Sequence, residues 1–210
     1  MVIFLNGASS SGKSSIAQVL QLLLPVPCLN AGVDHFFSML PAGLLDAAQT
    51  GPAGTAARLS WLGAGEGRAG TALAQADKWR ADMRRTIACM AGLGNHLIVD
   101  EIITCADWVT DYQALLAGHD MVWVGVHCTL EIVEERERER ARQGEAGHAG
   151  QAREHFDQVH AHCRYDIEVD SARLSPYQCA RLIVDRAAQR YRWENTEQAP
   201  EMRTRTQGCL

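Results

Sequence analysis

The chain has no CxxC pair, no apolar run long enough to cross a bilayer, no repeat of fixed period and no excess of positive charge. Each absence removes a class of protein. Its seven cysteines are dispersed, several within apolar runs, which suits reduced thiols in a cytoplasmic enzyme better than a disulfide framework or a zinc site. A net charge of −5 with both signs intermixed argues against sequence-independent nucleic-acid binding, so no nucleic-acid partner is expected. Only Met1 precedes the first apolar run, which offers no basic region and cleavage site of a signal peptide, and no membrane partner is expected either. The cytoplasm is therefore the expected location. At 210 residues the chain is long enough for one core, either a single domain or a domain with an appended lid. Nothing in the composition speaks to oligomeric state.

What is present is concentrated at the start. Val2, Ile3, Phe4 and Leu5 read as a short buried strand, after which Gly7, Gly12, Lys13 and Ser14 fall into the GxxxxGK[ST] spacing of a phosphate-binding loop. The small residues Ala8, Ser9, Ser10 and Ser11 let backbone N–H groups turn inward around a polyphosphate, and a helix starting near Lys13 and running through Ser15 aims its positive end at the same point. Lys13 would reach the β- and γ-phosphates. The Ser14 hydroxyl would ligate Mg²⁺, because the loop's chemistry needs a metal to bridge and neutralise those oxygens. The bland reading is a strand-to-helix turn that binds nothing.

Further along, residues 15–24 carry apolar side chains at helical spacing and end at Pro25. Residues 28–33 read as a second strand, which puts Asp34 at its carboxyl end, where open parallel sheets bind ligands. His35, Phe36 and Phe37 follow, either lining a pocket or joining the core. Residues 41–70 are rich in Gly, Ala and Pro and read as a loop-and-hairpin insertion. Helical periodicity returns over 71–93, and the strand at 96–100 ends in Asp100 and Glu101. That ending has the look of a Walker B element, whose acid holds Mg²⁺ or positions an acceptor, although an acid just past a strand is often merely solvated. A helix at 106–116 and a strand at 121–126 extend the alternation of a parallel α/β sheet. The segment EIVEERERERAR, 131–142, reads as a charged helix, either a solvated face laced with i,i+4 ion pairs or one arm of a lid over a triphosphate. Arg136 and Arg140 are then the first candidates for lid arginines, with Arg138 and Arg142 behind them. A Gly-rich tip at 143–151 and a polar helix through His160 complete the hairpin. A fifth strand at 165–170 and a closing helix at 171–191 finish the domain. Trp61 and Trp79 are read either as core or as rings that stack on a substrate.

Taken in order and spacing, the segments LNGASSSGKSS, AGVDHFFSMLP, LIVDE, VWVGVHC, ERERERAR and VHAHCRYDIEVDS resemble the chloramphenicol phosphotransferase family over about residues 2–190. GVD and YDIEVD are the parts that generic P-loop kinases lack. The resemblance implies an α/β P-loop NTPase fold of the nucleotide/shikimate kinase-like kind: three α/β/α layers, a five-stranded parallel sheet in the order 2-3-1-4-5, and a helical lid. Residues 1–192 would form this domain, with the lid at about 129–163 and a polar tail at 193–210. It also implies ATP-dependent phosphorylation of a hydroxyl on an antibiotic, with Asp34 as general base and Arg136 and Arg140 on the phosphates. Substrate contacts would come from Asp34, His35, Phe36, Phe37, Asp100 and Glu101, and the metal ligands would be Ser14 and Asp100. His35, Phe36 and Phe37 depart from the family's pattern, which leaves the acceptor open. A housekeeping kinase for a nucleoside, sugar or shikimate-like acid, or a nucleotide-binding regulator that hydrolyses ATP slowly, satisfies the same motifs.

Overall fold

The structure, a computed structural model, describes residues 1–39, 69–143 and 150–190. The described residues form five parallel strands and seven helices, in the order β1 (Val2–Asn6), α1 (Lys13–Leu23), β2 (Cys28–Asn30), α2 (Val33–Phe37), α3 (Ala69–Gly92), β3 (His96–Glu101), α4 (Ala106–Leu115), β4 (Met121–His127), α5 (Leu130–Arg142), α6 (Gln151–Phe156), β5 (Ile167–Asp170) and α7 (Pro176–Arg190). The sheet order is β2-β3-β1-β4-β5, as the family resemblance implies. This is the three-layer α/β/α architecture of P-loop and shikimate-like kinases.

The central strand explains why its sequence is unbroken by polar residues. β1 lies between β3 and β4, with Phe4 opposite Val99 on one side and Trp123 on the other, so both its faces are covered. Side chains alternate between two cores. Ile3 and Leu5 join Ile98, Val124 and the apolar stripes of α1 and α7, while Val2 and Phe4 join Leu97, Val99, Trp123 and the stripes of α3 and α4.

Several boundaries fall elsewhere than the periodicity places them. β2 ends at Asn30, because Ala31 N–H makes the last bond to β3, at Ile98 O, and Gly32 then turns the chain into α2. Asp34 therefore sits in the first turn of a short helix, not at a strand end. β2 is also separated from β1 by β3, so Asp34 is not on a strand adjoining the phosphate loop. The polar helix after the tip stops at Phe156, not His160. β5 begins at Ile167, and the closing helix begins at Pro176, where its missing N–H costs nothing. The insertion at 41–68, Trp61, the Gly-rich tip at 144–149 and the tail lie outside the described residues.

Candidate active site

The loop between β1 and α1 has the geometry its spacing predicts. Gly7 is held so close to β4 that a β-carbon there would stand 2.5 Å from the Val126 carbonyl oxygen, and Gly12 has φ +90°, a conformation that L side chains resist. Lys13 is buried, and its ammonium donates to the Gly7 and Ala8 carbonyls, each at 2.9 Å, which folds the side chain over the loop. Its Nζ lies 3.8 Å from Asp100 Oδ1, and Ser14 Oγ donates to Asp100 Oδ2 at 2.7 Å. The lysine, the loop hydroxyl and the acid at the end of β3 are thus brought together, as the Walker A and Walker B readings require.

Two arginines close the other side. A cleft of about 610 Å³ is lined by Ser10, Gly12, Lys13, Ser14 and Ser15 on the loop side and by Arg136, Arg140 and Ser171 opposite. Arg136 donates through Nη2 to Ser171 O at 2.8 Å, and Arg140 Nη1 is 3.5 Å from Ser10 Oγ. Ser171 in turn donates through Oγ to Ser11 O at 2.6 Å, so the arginine is tied to the loop through one serine. Ser9 is half-buried on the loop, whereas Arg138 and Arg142 are exposed, and Arg142 pairs with Glu139 at 3.1 Å.

A second, smaller cleft of about 110 Å³ lies past the end of β3, lined by Val33, Asp34, Arg80, Glu101, Ile102, Thr104, Trp108 and His155. Here the solvated reading of the acids fails. Glu101 is only 2% exposed, accepts from Ile102 N–H at 3.0 Å and Tyr112 O–H at 3.1 Å, and lies 3.7 Å from Arg80. Burial pushes its carboxyl up from the ordinary glutamate range, and Arg80 and the two donors hold it back only in part. The Arg80 guanidinium lies 4.8 Å over the Trp108 ring. Asp34 is exposed and lines this cleft. Phe36 and Trp79 line an adjoining apolar cavity of about 270 Å³ with Met39 and Met83. His35 is exposed, and the Phe37 side chain lies outside those described.

Sequence reasoning missed Arg80, Thr104, Trp108, His155 and Ser171, which complete the two clefts. Ser171 alone left a signal, as a small hydroxyl residue directly after the strand of YDIEVD. The six described cysteines are free.

Chemically, a loop of main-chain N–H groups with a lysine, two arginines and a serine–aspartate pair can hold a polyphosphate. Ser14 Oγ and Asp100 Oδ2 are hard oxygen ligands that suit Mg²⁺. Among the described residues no helix is long and apolar enough to cross a membrane.

Residues 1–188 match the family described as chloramphenicol phosphotransferase-like protein. Two strains of Mycobacterium tuberculosis carry a protein provisionally named an O-phosphotransferase, 31% identical over 189 residues, which cover 87% of this chain and 80% of that protein. Among solved structures, the fold is similar to an APS kinase of M. tuberculosis at TM-score 0.57 and 20% identity, covering 89% of this chain and 96% of that one. A gluconokinase of Sinorhizobium meliloti is similar at TM-score 0.57 and 15% identity, covering 90% and 91%.

Proposed function

The chain belongs to the chloramphenicol phosphotransferase-like family, and from that premise we propose that Asp34 steers the acceptor hydroxyl of an ATP-dependent phosphoryl transfer. The protein is a phosphotransferase with an alcohol as acceptor. The observation that carries the proposal is the end of β3. Of two consecutive acids, Asp100 serves the phosphate loop through Ser14 at 2.7 Å, and Glu101 lines the cleft that Asp34 shares. Donor and acceptor pockets thus meet at one strand end, outside the carboxyl edge of the sheet.

In this reading the nucleotide's phosphate oxygens take over the Lys13 ammonium from the Gly7 and Ala8 carbonyls, and Arg136 and Arg140 hold the charge that spreads over the transferred group. The acceptor oxygen forms a bond to the γ-phosphorus, the bond to the β–γ bridging oxygen breaks, ADP leaves, and the hydroxyl proton passes to Asp34. Because the transition state is loose, orientation and a late proton transfer are all that the carboxylate must supply. Mg²⁺ held by Ser14 and Asp100 would supply charge neutralisation on the β- and γ-oxygens.

For the acceptor we propose a small hydroxylated metabolite of the nucleoside, sugar or shikimate-like kind, supported by the polar lining of Arg80, Thr104 and His155 around Asp34. A second reading, chloramphenicol or a related antibiotic, is favoured by the apolar cavity next to that cleft, where Phe36, Trp79 and Met83 would face an aromatic body. ATP as phosphoryl donor and free thiols suit action in the cytoplasm. Mass spectrometry of a panel containing sugars, nucleosides, shikimate and chloramphenicol, incubated with protein, ATP and Mg²⁺, should find one added phosphoryl group on one class. Asp34→Asn should lower that turnover by about two to four decades. ADP release that ignores every acceptor and survives Asp34→Asn would make the protein a regulatory ATPase instead.

A further inference from the structure

Asn6 is the last residue of β1 and the one before Gly7. Its side chain is fully buried, and it is the one polar residue of β1. Every polar atom of its amide is engaged at long range. Oδ1 accepts from Ile103 N–H at 2.9 Å, and Nδ2 donates to Val159 O at 2.6 Å and Tyr165 Oη at 2.8 Å. The bond from a backbone N–H fixes which end of the amide is oxygen. Tyr165 Oη, which accepts from Asn6, also lies 2.7 Å from His160 Nδ1. The Tyr165 ring is seated against Gly125 of β4, where a β-carbon would stand 2.7 Å from Cδ2.

Both ends of this amide lead to the same place. Ile103 stands between Ile102 and Thr104, which line the cleft around Asp34. Val159 N–H donates to the carbonyl of His155, which also lines that cleft. One residue later in the chain, the Gly7 carbonyl receives Lys13. A single side chain therefore joins the mouth of the phosphate loop to two separate stretches of chain that line the cleft. We propose that Asn6 is a positioning residue that holds residues 102–104 and His155 in register with the phosphate loop. The proposal rests on the phosphoryl-transfer reading only in taking the cleft for the acceptor's. Phosphoryl transfer depends on alignment, and a misplacement of about 1 Å costs on the order of a hundredfold.

Asn6→Ala removes both arms, and Tyr165→Phe removes the hydroxyl link while keeping the ring on Gly125. Three quantities are measured on the full chain: ADP affinity by calorimetry, amide hydrogen exchange across 102–104 and 155–160, and kinetics with whichever alcohol of the panel the wild type phosphorylates. Asn6→Ala should speed exchange about tenfold in both segments. ADP affinity should stay within about twofold, and kcat/KM for the alcohol should fall about 10- to 100-fold with the KM for ATP unmoved. Tyr165→Phe should open 155–160 alone, and it carries the test if Asn6→Ala does not fold. Unchanged exchange, or ADP affinity lost in parallel with turnover, overturns the proposal. If the wild type phosphorylates no alcohol, the transfer reading fails by itself, and exchange with ADP affinity still decides the role of Asn6.

Discussion

Two ionisable side chains give the stability of this protein opposite slopes against pH. Burial raises the Glu101 carboxyl above its ordinary 4.5, so the folded chain keeps that proton when the unfolded chain has lost it. The resulting stability is fully present below 4.5 and is lost as pH rises through the folded value. His160 runs the other way. Desolvation first, then the neighbouring His127 and Lys13, bring it down from 6.5 to about 4. Its Nδ1 faces Tyr165 Oη at 2.7 Å and its ring stacks on His127 with centroids 4.2 Å apart. That stability is present above 6.5 and disappears as pH falls toward about 4. Thermal melts between pH 4 and 8 should therefore show a shallower acid-side fall in His160→Gln and a shallower decline above 4.5 in Glu101→Gln than in the wild type. Identical profiles for all three proteins would mean that neither group titrates differently in the folded chain.

At the scale of elements, the arginine-bearing hairpin of α5 and α6 is held by its acids rather than by ladders along one helix. Glu137 accepts from Gly150 N–H at 2.9 Å and Ala152 N–H at 3.0 Å, capping α6 from the neighbouring helix, and Glu134 pairs with Arg153 at 2.6 Å. Glu137→Ala removes an N-terminal cap worth about 1 kcal/mol. Exchange across 150–156 should accelerate about fivefold while the strands keep their protection. A global loss of protection instead would make the hairpin part of the core. The charge pattern of 131–142 made the helix and its arginine face legible, since that information is local. The destination of Glu134 and Glu137 was not, because it depends on a helix whose approach no periodicity encodes. The same division holds elsewhere. The phosphate loop, α1, β3 with its acids and β4 followed from spacing and composition. The end of β2 did not, because Val33 is apolar enough to extend a strand and only the turn at Gly32 removes it. Arg80, Thr104, Trp108 and His155 carry no local sign of a shared cleft, because chain topology alone brings them to Asp34.

For the molecule as a whole, the sheet separates two halves of the chemistry. The phosphate cleft is built on the layer of α1 and α7 with the arginines of α5, and the cleft around Asp34 on the layer of α2, α3 and α4 with His155 of α6. They come together at the ends of β1 and β3, where Asp100 bonds Ser14 and Glu101 lines the second cleft. Nucleotide binding should therefore stabilise the fold through the first half and be indifferent to Asp34, the proposed general base, in the second. ADP at about a hundredfold its dissociation constant adds about 2.7 kcal/mol. In a domain of this size that raises Tm by about 5–11 °C. Asp34→Asn should keep this shift while losing turnover. Lys13→Ala, which strips the loop of the ammonium now bound to the Gly7 and Ala8 carbonyls, should lose most of it at the same ADP concentration. If Asp34→Asn lost the shift as well, the carboxylate would belong to nucleotide binding, and the division of the site into a donor half and an acceptor half would fall with it.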